Sequence, residues 1–267
     1  SDYHEEFIEM KITASALLLA AALPAASFAA IQTETVEYQD GDQTLSGYLV
    51  YDDSLEGPRP GVLVVHEWWG LNDYAKQRAE MLAELGYVAF AVDMYGDDRV
   101  TSHAPDAQGW MKQITGNVEA WRQRAQAGLD VLASHERVAG DDIAAIGYCF
   151  GGATVMQMAY AGADLDGVVS FHGSLPPAPE GTQIEPAVLI AHGYDDSFVP
   201  VERIRAFEQS MADNGADWQF VTYADARHGF TNPGAGDYGI DGLRYNPEAD
   251  ARSWRLMQDF LNEVFAD

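Results

Sequence analysis

Six near-continuous apolar runs, each ending in a turn, constrain this chain more than any other feature. They lie at 62–65, 88–92, 143–146, 168–171, 188–191 and 218–223. Runs of this kind belong in strands covered on both faces, as in parallel sheets. The segments 72–85, 118–134, 153–161, 201–214 and 247–265 carry helical spacing. In the last, Trp254, Met257, Phe260, Leu261 and Val264 form one stripe. Upstream, 33–38 and 45–51 alternate apolar with polar residues around Asp40-Gly41-Asp42, a hairpin signal. The pattern predicts a three-layer α/β fold: a mostly parallel central sheet flanked by helices, with an N-terminal antiparallel hairpin. No repeat or long linker interrupts the chain after residue 31, so 30–267 reads as one domain. Ligands of such sheets sit beyond the carboxyl ends of the strands, which directs attention to the turns.

One turn carries a nucleophile. The run at 143–146 leads into Gly147-Tyr148-Cys149-Phe150-Gly151-Gly152 and then a helical segment. Small residues two before and two after a nucleophile let the chain fold back sharply between strand and helix. The helix N-terminus then favours a thiolate and an oxyanion. An acid and a histidine follow in the order such a site requires. After the run at 188–191 come His192-Gly193-Tyr194-Asp195-Asp196-Ser197-Phe198-Val199-Pro200. After 218–223 come Ala224-Asp225-Ala226-Arg227-His228-Gly229-Phe230. Asp196 would orient His228, and His228 would exchange a proton with Cys149. Asp195 is the competing acid. The bland alternative for Cys149 is an ordinary buried cysteine in a glycine-rich turn. His66-Glu67-Trp68-Trp69-Gly70 follows the first run and sets a carboxylate beside two tryptophans, either as a surface charge or as a partly desolvated group near the nucleophile, where burial would raise its pKa. Backbone N–H groups in this loop, with the N–H after the nucleophile, are where this arrangement builds an oxyanion hole. His172 and His192 end strands. Either could face the cleft, and a structural hydrogen bond is the plainer role.

Other chemistries lack support. No His-x-x-x-His or His-Glu-x-x-His helix suggests zinc, and no glycine-rich loop opens a helix to cradle a nucleotide. No cofactor or metal is expected. Cys149 is the lone cysteine, so an intramolecular disulfide and a multi-cysteine metal site are excluded. With 42 acidic and 15 basic residues the formal charge is −27, which repels phosphate backbones and anionic membranes and argues against nucleic acid as a partner. The expected partner is a small molecule. No long apolar surface helix demands a second subunit, so a monomer or weak homodimer is expected.

The N-terminus reads as an export signal. Lys11 supplies a positive charge, 17–23 an apolar stretch, and Ser27-Phe28-Ala29 a small-x-small cleavage site after Pro24. Met10 to Ala29 would be the signal, and the acidic residues 1–9 an extension upstream of it. The alternative, a membrane anchor over 12–30, is alanine-rich and broken by Pro24, so no stable anchor is expected. The expected location is periplasmic or secreted, or cytoplasmic if this segment is not a signal.

The chain resembles the dienelactone hydrolase family from about Pro60 to its last helix. The resemblance rests on 64–70, Asp93-Met94-Tyr95-Gly96, the cysteine elbow at 147–152, 196–200 and His228-Gly229-Phe230. It implies an α/β-hydrolase that cleaves esters or lactones through a Cys-His-Asp triad and an acyl-thioester. By that resemblance Cys149 is the nucleophile, His228 the base and Asp196 its orienter. Glu67 matches a glutamate that contacts the resting thiol, and the oxyanion hole falls to Phe150 and Trp68. Trp69, Tyr95, Tyr148, His172 and Asn232 are candidates to line the substrate pocket. The sequence also departs from the family. The arginines that hold a substrate carboxylate are missing: Asn232 stands four residues after His228, and 104–112 contains no arginine. A neutral ester or lactone is therefore expected. Two other readings use the same residues: a non-catalytic ligand-binding protein on a hydrolase scaffold, and a redox-active thiol.

Overall fold

The computed structural model describes residues 30–266. The export signal and the upstream extension lie outside the described residues. The expected architecture is present: one eight-stranded sheet ordered β1-β2-β4-β3-β5-β6-β7-β8. β1 (Ile31–Asp40) and β2 (Gln43–Asp52) form the antiparallel hairpin, and β2 joins β4 (Val88–Val92) antiparallel. β3 (Arg59–Val65), β5 (Val138–Tyr148), β6 (Gly167–Phe171), β7 (Ala187–Gly193) and β8 (Trp218–Tyr223) continue the sheet in parallel with β4.

Two cores sandwich the sheet. On one face α1 (Asp73–Glu84) and α6 (Pro247–Val264) bring Leu82, Met257 and Leu261 against Val64 and Ile146. On the other, α3 (Val118–Ala133) and α4 (Phe150–Tyr160) bring Leu129, Leu132 and Val155 against Leu63 and Val65. Three helices begin on asparagine caps whose side chains accept the orphan N–H groups of the first turn: Asn72, Asn117 and Asn246. Every residue of α4 is buried, in keeping with its mostly apolar sequence, and its polar Thr154 and Gln157 are hydrogen-bonded.

Two sequence expectations are corrected. β8 forms the sheet edge, and most of its residues are only partly covered, because a helix shields just part of an edge strand. A helix also stands where none was expected, α2 (Ala104–Thr115). Its polar face and Gly109 dilute the helical period. Pro105 in the first turn, with Trp110, Met111 and Ile114 behind it, is the signal that marks it.

Candidate active site

The order of strands reverses at β3, since the chain runs from β3 outward to β4 and then back across to β5. Such a switch point opens a crevice at the carboxyl ends of the strands. Glu67 follows β3, Cys149 follows β5, His172 follows β6, Asp196 follows β7 and His228 follows β8. The topology alone therefore gathers these side chains at one end of the sheet.

The elbow is tight. Cys149 sits at φ 55° and ψ −113°, a conformation that a side-chain-bearing residue adopts only under constraint. Its N–H donates to the Phe171 carbonyl at 2.9 Å, tying the turn to β6. A Cβ on Gly147 would lie 2.0 Å from the Gly151 carbonyl oxygen, and one on Gly151 would lie 2.1 Å from the Val65 carbonyl oxygen. Both positions therefore require glycine. Cys149 caps α4, and Phe150 is the first helical residue, so its N–H has no partner within the helix.

Cys149, His228 and Asp196 are joined in line. His228 Nε2 lies 3.1 Å from Cys149 Sγ, and His228 Nδ1 lies 2.8 Å from Asp196 Oδ2. The other carboxylate oxygen of Asp196 accepts the Phe198 N–H at 2.9 Å. Asp195, the competing acid, is exposed, while Asp196 is buried. Burial opposes charge on His228, but the Cys149 thiol and the Asp196 carboxylate outweigh it and hold the imidazole pKa well above its ordinary value. Burial likewise opposes charge on Asp196, and its hydrogen bond to His228 prevails and lowers its pKa.

Glu67 faces the same cavity, but its partner differs from the one the resemblance implies. Its carboxylate accepts from Asn232 Nδ2 at 2.7 Å, whereas the hydrogen-bond partner of the thiol is His228. Burial pushes the Glu67 pKa from 4.5 up to about 7, against the opposing effects of Asn232, His228 and Arg78. His66 fixes the backbone here. It accepts the Met94 N–H at Nε2, which leaves Nδ1 to donate to the Glu67 carbonyl.

A cavity of about 410 Å³ opens over Cys149. Its walls are mostly apolar, with Trp68, Trp69, Trp121, Phe150, Phe198 and Tyr238 contributing aromatic surface. Trp69 and Asn232 are among its lining residues. Tyr95, Tyr148 and His172 are not, and these three expectations are corrected. Tyr148 stacks on Phe171 within the core, Tyr95 packs between His66 and Phe150, and His172 is buried behind His228. Tyr148, the last residue of β5, points away because successive side chains leave a strand on opposite sides.

Among the lining residues not singled out from sequence, four show where the cavity wall comes from. Met111 and Thr115 come from the unexpected helix α2, and Tyr238 stacks on Trp69 at 3.9 Å from a 3-10 turn, Ala235–Tyr238. Arg203, in the first turn of α5 (Val201–Asp213), is the fourth and brings a guanidinium to the rim. Its place three residues after Pro200, at the start of an expected helix, was the available signal. Among the described residues, no group of three or more His, Cys, Asp or Glu side chains could hold a metal ion, and no helix is long and apolar enough to cross a membrane.

A family model described as the dienelactone hydrolase family matches residues 45–265. The chain belongs to the dienelactone hydrolase family. A dienelactone hydrolase-like promiscuous phosphotriesterase from metagenomic libraries is 42% identical, with a TM-score of 0.85 over 88% of this chain and 99% of that one. A provisionally named carboxymethylenebutenolidase of Synechocystis sp. is 26% identical over 88% of this chain and 98% of its own length. An α/β hydrolase from a deep-sea metagenome library shares the fold at 18% identity, with a TM-score of 0.65 over 88% of this chain and 99% of that one. This member of the dienelactone hydrolase family is a hydrolase with an α/β-hydrolase fold.

Proposed function

We propose that this hydrolase cleaves carboxylic esters or lactones through Cys149, His228 and Asp196, by way of an acyl-thioester on Cys149. The observation that carries the reading is the continuous line from Sγ through the imidazole to a buried carboxylate, at 3.1 and 2.8 Å. Sγ attacks the carbonyl carbon, and the N–H groups of Phe150 and Trp68 receive the oxyanion. As the C–O bond breaks, His228 gives its proton to the departing alkoxide, and in a lactone that oxygen stays on the acyl chain. A water then loses a proton to His228 and attacks the thioester. The C–S bond breaks, the acid is released and the thiolate re-forms. Asp196 stays ionised and holds the tautomer that leaves Nε2 facing sulfur. Glu67 adjoins this line as a carboxyl that titrates near neutrality.

The cavity's apolar walls favour a neutral, ring-bearing ester or lactone. Arg203 is the cavity's guanidinium and would be the contact for a substrate carboxylate. A second reading draws on the 42% identical relative: attack of Sγ on a neutral phosphotriester, expelling an aryloxide, followed by hydrolysis of the S–P bond. The mature segment after Ala29 is proposed to act as one domain in an exported protein.

The test is steady-state hydrolysis of a short-chain aryl ester, a dienelactone and an aryl phosphotriester, with Cys149→Ala as the blank. Ester or lactone turnover abolished by the alanine variant supports the reading. Rates no higher than the blank on all three would overturn it.

A further inference from the structure

Behind the cavity lies a buried polar cluster that the proposed chemistry leaves unused. Its centre is Thr231, 1% exposed, in the turn between His228 and Asn232. The Thr231 hydroxyl lies 2.5 Å from the Tyr74 hydroxyl and 2.8 Å from His172 Nε2. Its carbonyl accepts from Arg78 Nη2 at 2.6 Å. Arg78 is itself buried, paired with Asp250 at 2.6 Å, and set over the rings of Tyr74, Tyr148 and Trp254.

So much buried polarity at one residue needs a reason, because each group gives up water for a partner of fixed geometry. Thr231 stands beside Asn232, which holds Glu67, and three residues after His228, which holds the thiol. The same turn is pinned from outside: Arg244 N–H donates to the His228 carbonyl and Asn246 N–H to the Phe230 carbonyl. The outer bonds fix the backbone at 228 and 230, the Asn232 N–H closes the turn on the Gly229 carbonyl at 2.9 Å, and the Thr231 hydroxyl and carbonyl anchor that closed turn to Tyr74, His172 and Arg78 behind it. His172 adds a side-chain contact, its ring meeting the His228 ring edge-on at 5.4 Å.

We propose that Thr231 is a positioning residue: its hydroxyl, held by Tyr74 and His172, and its carbonyl, held by Arg78, set the turn that aims His228 at Cys149 and Asn232 at Glu67. The assignment rests on the proposed role of Cys149 and His228. Near-attack geometry is sensitive to displacements of about 1 Å, so a loosened turn acts on turnover more than on binding.

The test compares Thr231→Val, which keeps the shape and removes the hydroxyl, with Thr231→Ser, which keeps the hydroxyl. Two readouts are used: kcat and KM on the aryl ester, and the pH profile of Cys149 alkylation by iodoacetamide. Around His228 the charged and titratable groups are Cys149, Asp196, His172, His192, Glu67 and Arg78, and neither substitution alters any of them. Thr231→Val is expected to lose about 10- to 100-fold in kcat with KM within about twofold, and to shift the alkylation profile, while Thr231→Ser stays within about threefold of wild type on both. If Thr231→Val does not fold, Tyr74→Phe replaces it and is expected to move both readouts in the same direction. A folded Thr231→Val or Tyr74→Phe with wild-type kcat and alkylation profile would overturn the proposal. Absence of ester turnover by the wild type would overturn the hydrolytic reading instead, and the alkylation profile would still decide the role of Thr231.

Discussion

The amide of Asn232 donates to the carboxylate of Glu67 at 2.7 Å, and among the described residues no other hydrogen bond reaches that carboxylate. One neutral donor does not replace the water lost on burial, and the Glu67 pKa rises to about 7. Between pH 4.5 and about 7 the folded chain therefore keeps a proton that the unfolded chain has released. Stability from this group falls as pH rises through that window, and the penalty is complete above it. Glu67→Gln keeps an acceptor for Asn232 and removes the penalty. The variant should gain on wild type by up to about 3 kcal/mol between pH 4.5 and pH 8, read as the difference between urea midpoints at each end. A difference that does not change with pH would show that Glu67 is ionised at little cost.

Asp196 predicts a sharper effect on activity. One of its oxygens accepts the Phe198 N–H, so in Asp196→Asn the amide oxygen keeps that bond and the NH₂ turns toward His228. The NH₂ donates, which obliges Nδ1 to accept and puts the ring proton on Nε2, facing Cys149 Sγ. That tautomer cannot take a proton from the thiol. Turnover of an aryl ester at pH 7 should drop by about 100-fold or more, with the fold intact by circular dichroism. Retention of even a tenth of the activity would separate Asp196 from the reaction.

Cys149 holds a positive φ at the cap of α4. Replacing a side chain there with glycine relieves strain of about 1–3 kcal/mol, whereas alanine inherits it. Cys149→Gly should therefore melt above Cys149→Ala, the relief of strain adding to the general preference for glycine over alanine at a helix N-cap. Equal melting temperatures, or alanine higher, would mean that the elbow carries no strain.

Much of this was legible in the sequence, and the limits have physical causes. β4 spans the residues of its apolar run, and α6 follows its stripe, because burial on a fixed face writes a period into the chain. Cys149, Asp196 and His228 could be placed because each sits in a turn bounded by strong signals. Tyr95, Tyr148 and His172 were misplaced because adjacency in sequence does not tell which side of a strand end a side chain takes. Arg203 and Tyr238 lie close in sequence to Asp196 and His228, but only the folded chain shows that those segments turn back to the cavity. The Thr231 cluster joins residues as far apart as Arg78 and Asp250, and no local pattern marks it.

The charge of −27 leads to a last prediction. Acidic residues this numerous repel one another across the surface, and folding brings them closer than they are in the expanded chain. At about 0.1 M salt the screening length is about 10 Å, short enough to remove most repulsion between exposed carboxylates. The opposing loss is small. Exposed pairs such as Arg244–Asp225 contribute about 0–1 kcal/mol, and Arg78–Asp250 is shielded from ions by burial. The balance favours added salt, so the melting temperature should rise by several degrees between about 10 mM and about 300 mM sodium chloride at pH 7.5, with most of the gain below about 100 mM. A steady fall over the same range would mean that attractive pairs outweigh the net repulsion, and that the acidic surface is arranged in compensating contacts with the few basic residues.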